Sequence, residues 1–302
     1  MGATLPDIDQ AVRERLTARF GSEVERWFEE LPGRLETLAM RWRVELEAAI
    51  PRGSASAVFA CRLDDGRRAV LKVSPDRARI ASEGTALDGW RTPHSPSVLE
   101  VDERLGALLI EAIDPGTPLD VAATYPSIDS VAELLMSLHR RADPAYPPVG
   151  VRVASLFDST EKLYERQPEL VTLVPRDLFE RGRRLATRLA QRPSSREVLL
   201  HGDLTPSNIL DGGFERGLVA IDPAPCVGDP AFDAVDLILW QVDRVEKVEA
   251  RARSLAGATD IEADRVVGWC AAFASMNALD LASRDIDSSG LVVPLVELAS
   301  TA

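Results

Sequence analysis

The sequence predicts a two-lobed α+β protein, with a mostly antiparallel sheet in its first lobe and a mostly helical second lobe. Its 302 residues suit two cores better than one, since domains usually hold about 100–200 residues. Residues 42–113 carry short apolar runs separated by turn signals, as antiparallel strands do. After the break at Asp114-Pro115-Gly116, apolar residues recur mainly at helical spacing. We therefore expect residues 1–113 to form N-terminal helices and the first lobe, and residues 114–302 to form the helical second lobe.

The first lobe is expected to begin with helices and to continue into the sheet. Apolar residues recur at helical spacing up to Pro32-Gly33, which is expected to interrupt the helix. Charged and apolar residues then alternate from Trp42 to Ala48, with the period of a half-buried strand. Two further apolar runs, Ala57–Leu63 and Arg67–Ser74, are joined by a short Asp-Gly turn, which predicts a β-hairpin.

A helix with a carboxylate on its apolar face is expected next. Ser74-Pro75-Asp76 is a helix start signal, and Ile80, Leu87 and Trp90 follow it at helical spacing. Glu83 falls on the same face as these apolar residues. The other predicted elements are Ser97–Val101, Ala107–Ile113, Ile128–Arg140, Phe179–Ala190, Val198–Leu200, Leu218–Ile221 and helices from about Ala231 onward.

Composition excludes several classes of protein. With 45% hydrophobic and 27% charged residues and no long uninterrupted apolar run, the chain has the composition of a soluble globular protein. Residues 1–7 lack the basic start and apolar stretch of a secretory signal, so we expect a cytoplasmic protein. Cys61, Cys226 and Cys270 lie far apart, which indicates neither a zinc site nor a disulfide framework.

The net charge of -13 bears on the class of partner. Such a charge repels the phosphates of nucleic acids and of anionic membranes, so we expect neither as a partner. It favours a cationic small molecule near the surface. The alternative is that the acidic surface mainly keeps the protein soluble, and net charge alone does not choose between the two.

The strongest chemical signal is His201–Asn208, followed by Asp222 at the end of an apolar strand. It has the spacing H-x-D-x-x-x-x-N of the kinase catalytic loop, which predicts Asp203 as the base that receives the acceptor proton. Asn208 and Asp222 supply the oxygen ligands that magnesium prefers. The alternative is a turn in which Asp203 and Asn208 merely cap backbone groups.

A second signal is Lys72, which lies in the apolar strand Ala69–Val73. This strand resembles the V-A-I-K strand of kinases, whose lysine contacts the α- and β-phosphates of ATP. Glu83 offers the helix carboxylate that holds such a lysine in place. An ordinary edge-strand lysine and an exposed glutamate are the alternative.

Two weaker signals concern the rest of a nucleotide site. The small residues of Pro51–Ser56 favour a loop whose amides close over phosphates, with Ser54 and Ser56 as candidates, although a plain hairpin loop fits as well. At the other edge of the sheet, Glu111 and Ile113 lie where a kinase hinge offers backbone groups to adenine. ATP is expected in the cleft between the lobes.

Together these residues resemble the aminoglycoside phosphotransferase family, within it the branch of streptomycin 6-kinases and hydroxyurea phosphotransferases. The likeness covers most of the chain and is most specific in Ala220–Pro223 and Val227–Asp233. It implies a bilobal protein-kinase-like fold. The roles that the resemblance implies are catalytic base for Asp203, magnesium ligand for Asn208 and Asp222, and nucleotide-phosphate contact for Lys72.

The chain departs from the family pattern near the expected acceptor. Thr205 and Ser207 stand where the family commonly has His and Gly, and Ala224-Pro225 stands where the branch often has Lys-Gly. None of these positions is the base or a magnesium ligand. Transfer chemistry is therefore expected to survive, while streptomycin need not be the preferred acceptor.

Other polar residues near the loop are expected to be structural. His201 is expected to brace the loop by hydrogen bonds. Three aspartates follow the magnesium candidate and begin a helix, and some of them are expected to cap that helix or to brace the loop: Asp229, Asp233 and Asp236. Late in the chain, Asp280 and Asp285 are interpreted as solvated helix charges and not as sites, with contact to a cationic substrate as the alternative.

The sequence thus predicts an ATP- and Mg²⁺-dependent kinase that phosphorylates a hydroxyl group of a small cationic molecule, with an aminoglycoside as the leading candidate. A sugar, an amino alcohol or a biosynthetic intermediate is the nearest alternative acceptor. A non-catalytic binding module is another class, but the retention of Asp203, Asn208 and Asp222 argues against it. A protein kinase is disfavoured because no A-P-E segment follows Asp222.

Overall fold

The computed structural model describes residues 5–53, 55–122, 124–192, 196–284 and 289–301. The chain divides into two compact units, Met1–Gly116 and Thr117–Ala302. Each unit buries its own set of apolar side chains.

The described part of the first unit contains a five-stranded antiparallel sheet in the order β1-β2-β3-β5-β4. The strands are β1 Val44–Ile50, β2 Ala57–Leu63, β3 Arg68–Val73, β4 Val98–Asp102 and β5 Ala107–Glu111. β2 and β3 form the predicted hairpin, with the N–H of Leu63 donating to the carbonyl of Arg67 at 2.9 Å. The predicted antiparallel sheet is confirmed.

Helices cover both faces of this sheet. They are α1 Gln10–Phe20, α2 Val24–Trp42 and α3 Arg77–Trp90. α1 and α2 form one core with Phe59, Leu71 and Leu109 of the sheet. α3 lies on the opposite face, where the side chain of Leu108 comes close to Gly84. Because side chains alternate across a strand, neighbours such as Leu108 and Leu109 enter different cores.

The predicted helix break at Pro32-Gly33 is wrong, because α2 passes through both residues. The buried face runs from Leu31, just before Pro32, to Leu35 and Leu38 beyond it, and this burial offsets the cost of about 3 kcal/mol for an interior proline. The helix ends instead at a left-handed residue, Arg43, whose N–H donates to the carbonyl of Ala39. Trp42 is therefore the last helical residue and not part of the first strand.

The second unit is mainly helical. Its helices are α4 Leu119–Ala122, α5 Ile128–Leu138, α6 Val149–Glu161, α7 Leu163–Arg166, α8 Arg176–Gln191, α9 Gly213–Arg216, α10 Ala231–Leu239, α11 Glu246–Ala258, α12 Ala263–Ser283 and α13 Ser289–Ala299. α12 is long and apolar enough to cross a membrane by length and composition alone. It nevertheless has the surroundings of a core helix, because Trp269 and Phe273 are buried and pack their rings against Phe232 of α10.

Two small sheets in the second unit hold its loops in place. Their strands are β6 Arg140–Arg141, β7 Val198–Leu200, β8 Ile209–Asp211, β9 Leu218–Ala220 and β10 Cys226–Gly228. β7 lies between β6 and β10, and β8 pairs with β9 as an antiparallel hairpin. The loop predicted to carry the chemistry, residues 201–208, therefore leaves one sheet and enters the other.

Candidate active site

In the first unit, Lys72 and Glu83 form a buried ion pair. Nζ of Lys72 donates to Oε1 of Glu83, and the two side chains are 6% and 0% exposed. β3 lies between β2 and β5, so Lys72 is not on an edge strand. Leu71 points into the core beneath α1 and α2, which places the next residue, Lys72, on the face covered by α3. The alternative of a solvent-facing lysine and an exposed glutamate is wrong.

The loop between β1 and β2 is tightly wound. Gly53 has a φ of +111°, and a Cβ there would lie 2.7 Å from the carbonyl oxygen of Ser56, so the turn requires glycine. Ser56 itself is 4% exposed. Ser54 lies outside the described residues.

Glu111 is the last residue of β5, and Ile113 lies two residues beyond the end of that strand. The N–H of Glu111 donates to the carbonyl of Ser97, and Oε1 of Glu111 accepts from the N–H of Ser97, each at 3.0 Å. The Glu111 carboxylate thus helps to fasten β4 to β5. Ile113 is buried in the segment that follows β5.

In the second unit, a buried carboxylate anchors the start of the loop 201–208. Asp233 of α10 accepts hydrogen bonds from the N–H groups of His201 and Gly202, at 2.8 Å and 2.9 Å. It also bonds to Nε2 of His139 at 3.1 Å. Burial alone would raise the pKa of Asp233, but the His139 contact and the other hydrogen bonds hold that pKa below its usual value. A charged carboxylate is the better acceptor for these bonds.

His201 is buried and braces the loop, as expected. Burial lowers the pKa of its imidazole, although the charges of Asp233 and Asp203 oppose the effect. The N–H of Asp203 lies 3.4 Å from Nδ1 of His201, within reach of a weak hydrogen bond. Gly202 has a φ of +77°, and a Cβ there would lie 2.0 Å from the carbonyl oxygen of Ala224, so no other residue fits.

The three aspartates after Asp222 have three different surroundings. Asp229 accepts from the N–H of Ala231 at the start of α10 and also binds Trp269 and Arg265 of α12. Asp233 braces the loop. Asp236 lines a cavity beside Asp203. The expectation of capping and bracing is confirmed for Asp229 and Asp233.

Arg152 of α6 contacts the candidate base and was missed by sequence reasoning. Its Nε donates to the carbonyl of Gly202, and its Nη2 lies 2.8 Å from Oδ1 of Asp203; the first bond is also 2.8 Å long. The pair is partly exposed, with 20% and 27% of the side chains accessible. No spacing rule links a helix arginine to a loop so distant in sequence.

Asn208 and Asp222 come together across the β8–β9 hairpin. Ile209 pairs with Ala220, and the N–H of Ile221 donates to the carbonyl of Asn208 at 2.8 Å. Nδ2 of Asn208 donates to the carbonyl of Asp203 at 2.9 Å, which ties the candidate ligand to the candidate base. The hairpin therefore sets two oxygen-bearing side chains, those of Asn208 and Asp222, at one end.

These two side chains suit magnesium better than a metal that needs a complete protein cage. No group of three or more His, Cys, Asp or Glu residues that could hold a metal ion occurs in the described parts of the chain. Magnesium keeps several waters and is bound by one or two protein oxygens together with substrate phosphates. The donor set of Asn208 and Asp222 has this composition.

A cavity of about 220 Å³ opens beside Asp203. Phe232 and Phe273 form apolar parts of its wall, while Asp236 and Asp280 supply carboxylates. Burial, and then the charge of Asp203, raise the pKa of Asp236 to about 6. The cavity thus combines apolar surface with negative charge next to the candidate base.

A second cavity, of about 280 Å³, shares Thr205, Asp236, Asn277 and Asp280 with the first. Asp280 is 45% exposed and pairs with Arg284, so its interpretation as a solvated charge accounts for part of its surroundings, but it also lines both cavities. Asp285 lies outside the described residues. The hydroxyls of Thr205 and Ser207 lie 3.0 Å apart and both border the second cavity.

Solved structures show that this is the fold of small-molecule kinases. Choline kinase LicA from Streptococcus pneumoniae matches with a TM-score of 0.57 at 15% identity, over 93% of this chain and 100% of that one. Aminoglycoside phosphotransferase APH(4)-Ia, in a ternary complex with AMP-PNP and hygromycin B, matches with a TM-score of 0.55 at 14% identity, over 88% and 96%. The predicted bilobal protein-kinase-like fold is confirmed.

Sequence comparison identifies the family within that class. Residues 41–284 match the aminoglycoside/hydroxyurea antibiotic resistance kinases, and the chain belongs to this family. Streptomycin 6-kinase from Streptomyces glaucescens is 30% identical, over 91% of each chain. Hydroxyurea phosphotransferase from Kitasatospora aureofaciens is 29% identical, over 93% of this chain and 81% of its own. The resemblance inferred from the motifs is confirmed.

Proposed function

We propose that this kinase transfers the γ-phosphate of ATP to a hydroxyl group of an aminoglycoside, with magnesium as the metal. The observation that carries the proposal is the cavity that joins Asp203 to the carboxylates of Asp236 and Asp280. Relatives named streptomycin 6-kinase support it. Cationic acceptors gain charge-assisted hydrogen bonds from such carboxylates.

In this proposal Asp203 acts on the acceptor. Its carboxylate takes the proton of the acceptor hydroxyl as that oxygen forms a bond to the γ-phosphorus, and the bond to the β-phosphate oxygen breaks to release ADP. Asn208 and Asp222 would hold magnesium, which would neutralise charge on the phosphates. His201 and Asp233 keep the loop in place and take no part in proton transfer.

The nucleotide is assigned to residues of the first unit. Lys72, held by Glu83, contacts the α- and β-phosphates, as a buried lysine on a central strand is suited to do. The amide of Ser56 in the β1–β2 loop and backbone groups from Glu111 to Ile113 are assigned to the phosphates and to adenine, respectively. Since ATP is an intracellular metabolite, we assign the activity to the cytoplasm.

Hydroxyurea is a second candidate acceptor, because a relative of similar identity is a hydroxyurea phosphotransferase. The cavity favours the larger compound. Hydroxyurea is a neutral molecule of five heavy atoms, whereas the two adjoining cavities measure about 220 and 280 Å³ and carry carboxylates. Phosphorylation would add about two negative charges to a cationic antibiotic and weaken its binding to an anionic target, which accounts for resistance.

A panel of acceptors tests the proposal. Initial rates of ADP release would be measured with streptomycin, other aminoglycosides, hydroxyurea, a neutral sugar and an amino alcohol, each at low and at high salt. We expect at least one aminoglycoside to be phosphorylated, with a KM that rises with salt because screening weakens its attraction to the carboxylates. Mass spectrometry of the product should show one added phosphate. If every aminoglycoside is inert while a neutral compound is phosphorylated, the aminoglycoside assignment is wrong and the kinase assignment stands.

A further inference from the structure

We propose that Arg152 is a positioning residue that fixes the carboxylate of Asp203 for proton transfer. The inference rests on the proposed function, because it takes Asp203 to be the base. It assigns to Arg152 no contact with the acceptor or the nucleotide. The arginine acts through the orientation of Asp203.

One guanidinium holds both the backbone and the side chain at the base. Nε of Arg152 donates to the carbonyl that precedes Asp203, and Nη2 pairs with Oδ1 of Asp203, both at 2.8 Å. Two contacts from a rigid planar fork restrict the side-chain torsions of Asp203 relative to its own peptide. A lysine, which presents a single point of charge, cannot make both contacts in this geometry.

The other contacts of the loop hold its backbone and leave the orientation of the Asp203 carboxylate to Arg152. Asp233 holds the peptide N–H of Gly202, and Asn208 holds the carbonyl of Asp203, so both fix backbone. Among the residues that the structure describes, Arg152 supplies the ion-pair contact to the Asp203 carboxylate, through Oδ1. We assign the second oxygen, Oδ2, to the acceptor hydroxyl.

The face of α6 that carries Arg152 also lines the cavity assigned to the acceptor. Leu156 and Thr160 lie one and two helical turns after Arg152 and border the cavity beside Asp203. One helix therefore sets the orientation of the base and part of the wall against which the acceptor rests. A helix that serves both purposes keeps the distance between base and acceptor fixed.

The energetics favour a geometric role over a structural one. Both side chains of the pair are partly exposed, so water screens their attraction and the pair contributes little to stability. In contrast, a misplacement of about 1 Å at a reacting group lowers the rate by about 10²-fold. Loss of Arg152 should therefore affect turnover much more than folding.

The test compares Arg152→Ala and Arg152→Lys with the wild-type enzyme, using the best acceptor from the panel. We expect kcat to fall about 10–100-fold in Arg152→Ala while the KM for ATP changes less than about 2-fold. Guanidinium chloride at non-denaturing, millimolar concentration should restore part of the lost kcat in Arg152→Ala, because it supplies the missing fork. Arg152→Lys should show an intermediate kcat.

Arg183→Ala is the matched control. Arg183 is also a partly buried arginine that bonds to α6, through Glu161 at 2.8 Å, but it lies outside the loop contacts described above. We expect its kcat to remain close to that of the wild type and to be insensitive to guanidinium. Thermal unfolding of every variant separates a loss of fold from a loss of geometry.

Several outcomes would overturn the inference. Wild-type kcat in Arg152→Ala would do so, as would a parallel loss of stability and activity without rescue by guanidinium. If Arg152→Ala does not fold, the same comparison with Arg152→Lys and Arg152→Gln decides. Asp203→Asn is measured alongside: if it is inactive while Arg152→Ala is fully active, only the role of Arg152 is wrong. If Asp203→Asn turns over at the wild-type rate, the base assignment fails and this inference fails with it.

Discussion

At the scale of single residues, the backbone of Asp222 stands out. Its φ of +62° lies in the left-handed region, which residues other than glycine seldom adopt. Such a conformation costs about 1–3 kcal/mol and persists where the surroundings determine it. Here the N–H of Ile221, the residue just before Asp222, donates to the carbonyl of Asn208 and so fixes the backbone that leads into Asp222. Strained backbone conformations are common at ligand-binding sites, so the strain at Asp222, beside the second oxygen donor Asn208, is consistent with a role in metal binding.

This geometry leads to a prediction for magnesium. Asn208→Ala and Asp222→Ala should each weaken binding of the magnesium–ATP complex, because each removes an oxygen ligand. Asp222→Ala should have the larger effect, since it also removes a negative charge. Calorimetric titration of the complex would measure both affinities, with Asp211→Asn, at the far end of the same hairpin, as the control. Unchanged affinity in Asp222→Ala would contradict its role as a ligand.

Asp236 lines the cavity, and the burial of its charged form lowers the stability of the fold at neutral pH. Its folded pKa of about 6 exceeds the ordinary value of 3.8, mainly because of burial. The folded state therefore binds the proton more tightly than the unfolded state does. The stability that Asp236 contributes is present below about pH 4 and is lost as the pH rises towards 6.

Replacement of Asp236 should separate stability from acceptor binding. Asp236→Asn removes the titration, so its Tm should exceed that of the wild type at pH 7.5 by on the order of 2–4 °C, and the difference should shrink at pH 4. The same variant should show a higher KM for a cationic acceptor. Thermal scans at both pH values and steady-state kinetics at pH 7.5 provide the check. A lower Tm than wild type at pH 7.5 would show that the charged form is not disfavoured.

At the scale of elements, the pairing of β3 with α3 explains how a lysine becomes buried. The alternation along β3 directs Leu71 to one core and Lys72 to the other, and the helical period brings Glu83 to the same side. Both periodicities are local, so the sequence alone predicted this pair. α2 shows the limit of local signals, because Pro32 is a breaker by its own chemistry and only the burial of Leu35 and Leu38 carries the helix past it.

The buried Lys72–Glu83 pair predicts that removing one partner lowers the free energy of unfolding more than replacing both partners does. Glu83→Ala should lower the free energy of unfolding by about 3–5 kcal/mol, because it leaves Lys72 charged in a buried site. Combining Lys72→Met with Glu83→Leu should recover most of that loss, since apolar side chains of similar size can replace a buried pair. ATP binding should stay impaired in the double variant. Urea unfolding and nucleotide titration measure the two effects, and recovery of ATP binding in the double variant would refute the role of Lys72.

At the scale of the whole molecule, the part of the site that escaped prediction is the part made by tertiary packing. The motif residues His201–Asn208 have a fixed spacing, so their roles could be proposed from the sequence alone. Arg152 lies 50 positions before Gly202 and reaches the loop only because α6 packs beside it. Asp280 was interpreted as a solvated charge, since no sequence pattern indicates that the end of α12 borders the same cavity as Asp203.

Two helices that line the cavity, α6 and α10, also hold the loop 201–208 in place, and this limits where the cavity can change. α6 and α10 each carry one anchor of the loop 201–208, Arg152 and Asp233, so in the proposed mechanism changes that move these helices endanger turnover. The stretch of α12 that carries Met276 and Asn277 borders the cavity from a helix that holds neither anchor. In the proposed mechanism, substitutions of these two side chains reshape the acceptor site without removing a contact to Asp203. We therefore expect acceptor specificity to change most readily through this stretch of α12.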